Sequence, residues 1–224
     1  MTCDIDKAAK LWQAILQTDT GELFGEKYAR HLLNRPHGFD QIAQPGYIGA
    51  EYSGRLVFVS MNPGNGVDGL SKDDREQYPA LQRLRDAGPD DLVPAFQQLN
   101  SILAEITPHW KIYQKLVAPI LCRARVSVSQ IAYLTLLQWR TTKSSGLRPL
   151  YNRCWKAHTQ AQMDLLKPKT IVLLGKSAGR AFGSYLDSDA EFHIIPRGIG
   201  DSFVPREGLE SMERIISELL QATG

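Results

Sequence analysis

Apolar residues along this chain recur either at every third or fourth position or in short continuous runs. The first spacing predicts amphipathic helices, and the second predicts strands that are buried on both faces. Helical spacing is clearest in DIDKAAKLWQAILQ near the N-terminus and in REGLESMERIISELLQ near the C-terminus. The second of these helices is predicted to place on one face Leu209, Met212, Ile215, Ile216, Leu219 and Leu220. Residues 67–94 are polar and contain several acids and prolines, which predicts a long connection with a helical turn or two.

Four short apolar runs predict the strands of a parallel sheet, near residues 56–61, 131–137, 170–174 and 192–196. Helical segments separate these strands, so we expect a three-layer α/β/α sandwich with a four-stranded parallel sheet. The first strand should be central, because the loop that follows it has the composition of a binding site. The 224 residues are predicted to form one domain over residues 1–224, with residues 1–44 as a helical extension packed on it.

The composition predicts a protein of the reduced cytoplasm that has no resident metal or cofactor. The three cysteines show no paired spacing, so neither a disulfide framework nor a cysteine-based metal site is indicated. The sequence begins with MTCDIDKAAK, whose mixed charge is unlike a signal peptide. No apolar run approaches the roughly 18 residues that cross a membrane, so no membrane association is expected.

The charge is distributed unevenly along the chain, although its formal net value is only +2. Residues 107–186 contain thirteen Lys or Arg and a single acid, Asp164, which gives that segment a charge of +12. Such a segment favours a polyanionic partner, for which phosphate backbones are the usual case. The alternative is that solvated helix faces simply contain many lysines.

Four loops follow the predicted strands, with the sequences NPGNG, QWRTTKSSG, GKSAG and PRGIGDS. In a parallel sheet, ligands bind outside the carboxyl ends of the strands, so these loops are the predicted site. Asn62 is expected at the mouth of a pocket, where Pro63 would fix the turn and Gly64 would let backbone N–H groups approach a ligand. The alternative is that this Asn-Pro-Gly turn only ends a strand.

The order SMNPG, LTLLQWRT, Cys154, LLKPKTIVLLGKSAGRAF and HIIPRG resembles the uracil-DNA glycosylase superfamily over roughly residues 45–205. The first motif is similar to the Asn-Pro-Gly turn of its mismatch-specific and single-strand-selective branches, and the middle block to its iron-sulfur branch. The resemblance implies a hydrolase of N-glycosidic bonds in DNA, with Asn62 at the scissile bond. The base pocket would contain Met61, Pro63, Gly64, Thr135 and Tyr78. The residues expected to contact nucleic acid are Arg140, Lys143, Lys176, Ser177, Pro196, Arg197 and Gly198.

Three departures from the family pattern leave two functions open. Ile195 stands where the last family motif, His-Pro-Ser, has its histidine, and Thr135 stands where the family has a base-reading asparagine. Three cysteines are too few for the four ligands of the iron-sulfur branch, so no cluster is expected. The first function is excision of a deaminated or modified base from single- or double-stranded DNA by a monomer. The second is a non-catalytic or differently catalytic member that binds nucleic acid or a nucleotide.

Overall fold

A five-stranded mixed sheet lies at the centre of the fold, with the order β1-β3-β2-β4-β5. The structure is a computed structural model that describes residues 3–33, 42–61, 63, 72–142, 146–182, 190–197 and 204–221. The strands are β1 (Gly46–Ile48), β2 (Leu56–Ser60), β3 (Ile131–Thr135), β4 (Thr170–Leu174) and β5 (Glu191–Ile195). Strands β2 to β5 are mutually parallel, and β1 pairs with β3 in the antiparallel direction.

The α/β class and the four predicted strands are confirmed, and each strand end lies within two residues of its predicted position. The central position of β2 is also as predicted, because it pairs with β3 on one side and with β4 on the other. The sheet nevertheless has a fifth strand, so the prediction of four parallel strands is incomplete. Strand β1 has only three residues, too few to give an alternating or continuous apolar pattern in the sequence.

Ten α-helices are present within the described residues. They are α1 (Ile5–Leu16), α2 (Thr20–Phe24), α3 (Glu26–Ala29), α4 (Lys72–Asp86), α5 (Leu92–Ile106), α6 (Ala118–Ala124), α7 (Arg148–Cys154), α8 (Gln160–Leu166), α9 (Lys176–Phe182) and α10 (Arg206–Gln221). A π-helical turn (Tyr113–Val117) precedes α6, and another (Trp155–Thr159) joins α7 to α8. None of the helices in these ranges has the length and apolar character that a membrane span requires.

Helix α4 corrects the prediction of a long connection over residues 67–94. It runs for 15 residues, with Pro79 inside it. Its buried positions recur at helical spacing, and they are Asp74, Gln77, Ala80, Leu81 and Leu84. Two of these five side chains are polar, so the buried stripe does not appear as an apolar period in the sequence.

The sheet and the N-terminal helix share one hydrophobic core. Every residue of β2, β3 and β4 is buried, and since successive strand residues point to opposite faces, both faces of these strands are covered. Helix α1 begins at the N-cap Asp4, whose side chain accepts from the backbone N–H of Lys7. Trp12 of α1 is fully buried and donates its indole N–H to the carbonyl of Gly46 at 2.8 Å.

Helix α10 buries a narrower face than the sequence predicts. Met212, Ile215, Ile216 and Leu219 are buried. Leu209 and Leu220, at the margins of this face, are 51% and 44% exposed. The helix packs against α6 and β5.

Gly46 is predicted to be the position in β1 that tolerates a side chain least. Its φ is +90°, and an added Cβ atom would lie 1.9 Å from the carbonyl oxygen of Tyr133. Both backbones are fixed in the β1–β3 pairing, so Gly46→Ala should lower the free energy of unfolding by more than about 2 kcal/mol. The measurement is equilibrium unfolding in urea.

Gly88→Ala is the matched control, because an added Cβ there would meet no described atom within 4 Å. The control should change the free energy of unfolding by less than about 0.5 kcal/mol. Equal effects of the two substitutions would contradict the assigned β1–β3 register.

Candidate functional site

The four parallel strands end at one edge of the sheet, called here the carboxyl edge. Strand β2 is in the middle, so its exit lies between the exits of β3 and β4. Backbone pairing continues past the end of β2, because the N–H groups of Leu136 and Leu137 donate to the carbonyls of Ser60 and Met61 at 2.9 and 2.8 Å. This edge has the position that binds ligands in open α/β sheets.

A buried ion pair joins α4 to the segment after β3. Asp74 lies in the first turn of α4, and Arg140 lies in residues 136–142, called here the β3 exit segment. The two side chains are 5% and 9% exposed, and the guanidinium contacts both carboxylate oxygens, with Nη1 3.2 Å from Oδ2. Gln77 donates its side-chain N–H to Asp74 Oδ1 at 3.1 Å.

The two ends of residues 62–71, which contain the Asn-Pro-Gly motif, are therefore held by the same short segment. Met61, before them, accepts from Leu137, and Asp74, shortly after them, pairs with Arg140. Pro63 is buried. Asn62 and Gly64 lie outside the described residues, so their predicted roles stay predictions.

Two N-terminal segments also hold the β3 exit segment. Leu33 donates its backbone N–H to Arg140 O at 3.0 Å, and Thr142 donates to His31 O at 2.8 Å. Further along the chain, Gln44 donates its N–H to Gln138 O at 2.6 Å. The first 44 residues thus contribute directly to the architecture of the carboxyl edge.

A buried polar cluster lies under this edge, around Gln138. The Gln138 side chain donates through Nε2 to Thr135 O at 3.1 Å and to Thr159 Oγ1 at 3.2 Å. Its Oε1 atom is buried and has no hydrogen-bond partner among the described residues. Thr159 comes from the π-helical turn between α7 and α8 and donates in turn to Leu136 O at 3.3 Å. π-Helical turns are frequent at functional sites.

Thr135 is buried, and its hydroxyl donates to Gln44 O at 2.5 Å. Its donor is thereby used, and only the acceptor lone pairs of the hydroxyl could meet a base. Met61 is only 8% exposed, and Tyr78 is partly buried in α4, where it packs against the hydrophobic core. These side chains are thus better placed to pack beneath the residues that line a pocket than to line the pocket themselves.

Arg140 is the predicted site residue whose observed position differs most from the prediction. The sequence predicted that it lies at the surface and contacts phosphate. Its charge is buried against Asp74, and a phosphate could reach it only if that pair were broken. Nothing in the sequence distinguishes Arg140 from its exposed basic neighbours. The acid partner is 66 residues away, in a segment predicted to be a connection. Lys143, its predicted companion, lies outside the described residues.

Two other predicted cations, Lys176 and Arg197, follow the ends of β4 and β5. Gly175 has φ +111°, and a Cβ atom there would lie 3.0 Å from Nε of Arg197, so the Arg197 side chain passes directly over this glycine. Pro196, which precedes it, is buried. Lys176 and Ser177 begin α9 with exposed side chains. Gly198 lies outside the described residues.

Lys176 already has an acidic neighbour. Its Nζ is 2.7 Å from Oε2 of Glu207 in the first turn of α10, and both side chains are more than half exposed. Solvent screens such a pair strongly, so Lys176 can exchange Glu207 for another anion at small cost. Gly208, next to Glu207, has no side chain and approaches the carbonyl of Pro196: an added Cβ would lie 2.4 Å from that oxygen. The start of α10 therefore belongs to the same part of the edge.

Two titratable side chains below the edge, Cys154 and His158, have pKa values shifted by burial. Burial raises the pKa of the Cys154 thiol well above its usual range. Burial also lowers the pKa of His158, whose Nε2 lies 3.2 Å from Thr18 Oγ1. A nucleophilic cysteine needs a lowered pKa, so Cys154 has the character of a structural side chain.

No protein-family model matches this sequence, and no curated protein is similar to it. A functional proposal therefore rests on the chemistry of the carboxyl edge and on the sequence motifs that follow its strands.

The Asp74–Arg140 pair is predicted to be a major contributor to stability. Asp74→Asn keeps the shape of the side chain but leaves a buried cation without its counter-charge, so it should lower the free energy of unfolding by about 3–5 kcal/mol. The control is Asp91→Asn, which disrupts the exposed pair of Asp91 with Arg83 at 2.7 Å. Urea unfolding should show a far smaller loss for the control, and equal losses would contradict the buried pair.

Proposed function

We propose that this protein binds DNA at the carboxyl edge and hydrolyses the N-glycosidic bond of a deaminated or modified base. The observation that carries the proposal is the central position of β2, whose exit lies between the exits of β3 and β4 and is followed in the sequence by the Asn-Pro-Gly motif. Ligands of parallel sheets bind in this position. The resemblance of the ordered motifs to the uracil-DNA glycosylase superfamily supplies the reaction.

The reaction breaks the bond between the sugar and the base, and water adds to the sugar. Positive charge develops on the sugar and negative charge on the departing base. The enzyme must first extrude the nucleotide from the stack, at a cost of a few kcal/mol. Asn62 has no basic group, so it would act by positioning water or the base edge and by stabilising charge. Such positioning requires fixed flanking residues, and the hydrogen bond of Met61 with Leu137 and the ion pair of Asp74 with Arg140 meet this requirement.

Phosphates of the DNA would bind beside Lys176, Ser177 and Arg197. Strand β4 is next to β2, and β5 is next to β4, so the strand exits that these residues follow lie roughly 5 and 10 Å to one side of the β2 exit, from the spacing of neighbouring strands. A nucleotide centred on Asn62 could then have its backbone against these residues. We infer the three-layer α/β/α arrangement, the single domain and the monomeric state from the sequence alone.

The second candidate is a member of this superfamily that binds nucleic acid or a nucleotide without cutting it. Two observations favour it. Ile195 occupies the place of the motif histidine and is fully buried. Thr135, in place of a base-reading asparagine, directs its hydroxyl to Gln44. Both features remove a polar group that could contact the base, and neither affects binding of the phosphates.

Asn62→Ala should lower the rate of base excision by roughly 10²–10³-fold, as the loss of one oriented polar group does, and leave DNA affinity nearly unchanged. The assay uses oligonucleotides containing uracil, hypoxanthine, xanthine or ethenocytosine, followed by alkali cleavage. Asn62→Asp should retain part of the activity, because a carboxylate can accept the proton of the attacking water. Asn65→Ala, in the same loop but outside the motif, is the control and should be active.

The outcomes of this assay separate the two candidates. If the wild type cleaves no modified base and Asn62→Ala weakens DNA or nucleotide binding, the non-catalytic function is the correct one. If Asn62→Ala changes neither cleavage nor binding, both candidates are wrong about Asn62.

Lys176→Ala should reduce the slope of log affinity for DNA against log salt concentration by about one, because one phosphate contact is lost. The control is Lys169→Ala, since Lys169 is also exposed but precedes β4 at the opposite edge of the sheet. Binding is measured by fluorescence anisotropy over a series of salt concentrations. A slope that changes equally in both variants would show that DNA does not prefer the carboxyl edge.

A further inference from the structure

A second group of polar side chains lies on the β5 side of the sheet, away from the carboxyl edge. Glu191 and His193 are two residues apart on β5, so they point to the same face of the strand. Glu218 belongs to α10, which packs against β5. One ligand atom from each of these three side chains can be chosen so that all three atoms lie within 4.8 Å of one another. This is the only such set of three His, Cys, Asp or Glu side chains in the described part of the chain.

His193 and Glu218 are in direct contact, with the imidazole and the carboxylate at the distance of an ion pair. Nε2 of His193 lies 2.8 Å from Oε2 of Glu218, yet the pair does not have hydrogen-bond geometry. Both atoms are buried, and neither has a hydrogen-bond partner among the residues that the structure describes. Buried polar atoms in proteins nearly always have a hydrogen-bond partner, and these two atoms have only their ion-pair contact with each other.

A shared cation explains the arrangement. Ligand atoms that bind one Zn²⁺ at about 2.0–2.2 Å are themselves about 2.8–3.1 Å apart in octahedral geometry and about 3.3–3.6 Å apart in tetrahedral geometry. The separation of Nε2 and Oε2 is close to the octahedral distance. A divalent ion would also neutralise the two carboxylates and satisfy both buried atoms at once.

We propose that Glu191, His193 and Glu218 form a binding site for a divalent transition-metal ion of the Zn²⁺ class. One imidazole with two carboxylates suits such ions, whereas Mg²⁺ and Ca²⁺ prefer oxygen ligands alone. Glu191 is exposed, so water completes the coordination on the solvent side.

The metal has a structural role, because the site is distant from the carboxyl edge along the strands. Glu191 is opposite Thr170 at the start of β4, whereas Gly175 and Arg197 follow the ends of β4 and β5. The ion links the edge strand of the sheet to the C-terminal helix. This inference does not depend on the proposed base excision.

Arg214 is the basic group that competes with the metal. It lies one helical turn before Glu218 and, with His193, Phe192 and Ser211, lines a shallow groove between β5 and α10. The positive charge of Arg214, one helical turn from Glu218, repels a metal cation and so weakens metal binding without binding to the ligand atoms. Arg214→Gln should therefore increase the affinity for Zn²⁺.

The test is titration of the untagged 224-residue chain with Zn²⁺, with binding measured by calorimetry and stability by thermal unfolding. We expect one ion per chain, and a rise in Tm of roughly 5–10 °C at a hundredfold excess over the dissociation constant. Glu191→Gln, an exposed change that should not disturb folding, should weaken binding at least about tenfold and reduce the rise in Tm accordingly. His193→Asn should have a larger effect.

Two control variants separate this site from other Zn²⁺ ligands. His109→Gln removes a histidine whose Nδ1 lies 3.6 Å from Asp73 Oδ1, a pair without a third ligand among the described residues, and should bind Zn²⁺ as the wild type does. Cys122→Ser removes an exposed thiol and should do the same. The proposal is overturned if the wild type binds no Zn²⁺ at 100-fold molar excess. It is equally overturned if Glu191→Gln binds as tightly as the wild type, even where His193→Asn does not fold.

Discussion

Burial of both faces of β2, β3 and β4 is the constraint on which the other features of this molecule depend. A strand that is covered on both sides has no face on which a polar side chain can reach solvent. Polar chemistry in this sheet is therefore restricted to the strand ends and to the outer strand, β5, whose first residues are exposed. Among the described residues, the carboxyl edge and the group around His193 are places where this restriction is lifted.

The buried pair of Asp74 and Arg140 shows how the edge is organised. Burial of two charges has a large desolvation cost, and replacement of such a pair by apolar residues is often neutral or stabilising. Its benefit lies in specificity, because a bidentate contact fixes both the position and the direction of the two partners. Here the ion pair fixes the position of the start of α4 relative to the β3 exit segment. An apolar contact in its place would leave that position less well defined.

The sequence predicted the regular, apolar parts of the fold well and the polar parts poorly. Continuous apolar runs located β2, β3 and β4 within two residues, because a buried parallel strand needs little beyond such a run. Helix α4 was missed because Asp74 and Gln77 occupy buried positions of its stripe. Arg140 was assigned to the surface because a cation in a basic segment does not reveal a partner that is distant along the chain. The loops that contain Lys176 and Arg197 follow β4 and β5, and parallel strands bring such loops to one edge. The predicted contact of these residues with DNA stays a prediction.

The contact of Lys176 with Glu207 makes α10 an internal competitor for any anion at this edge. A phosphate that binds the ammonium group of Lys176 must first displace the Glu207 carboxylate. The apparent affinity for the anion is then the intrinsic affinity multiplied by the fraction of molecules in which the Lys176–Glu207 pair is open. For an exposed pair this lowers the affinity by less than about tenfold. By thermodynamic reciprocity, an anion bound to Lys176 releases Glu207 and weakens the attachment of the first turn of α10. Occupancy of the edge and the order of the C-terminal helix are thus linked through a single carboxylate.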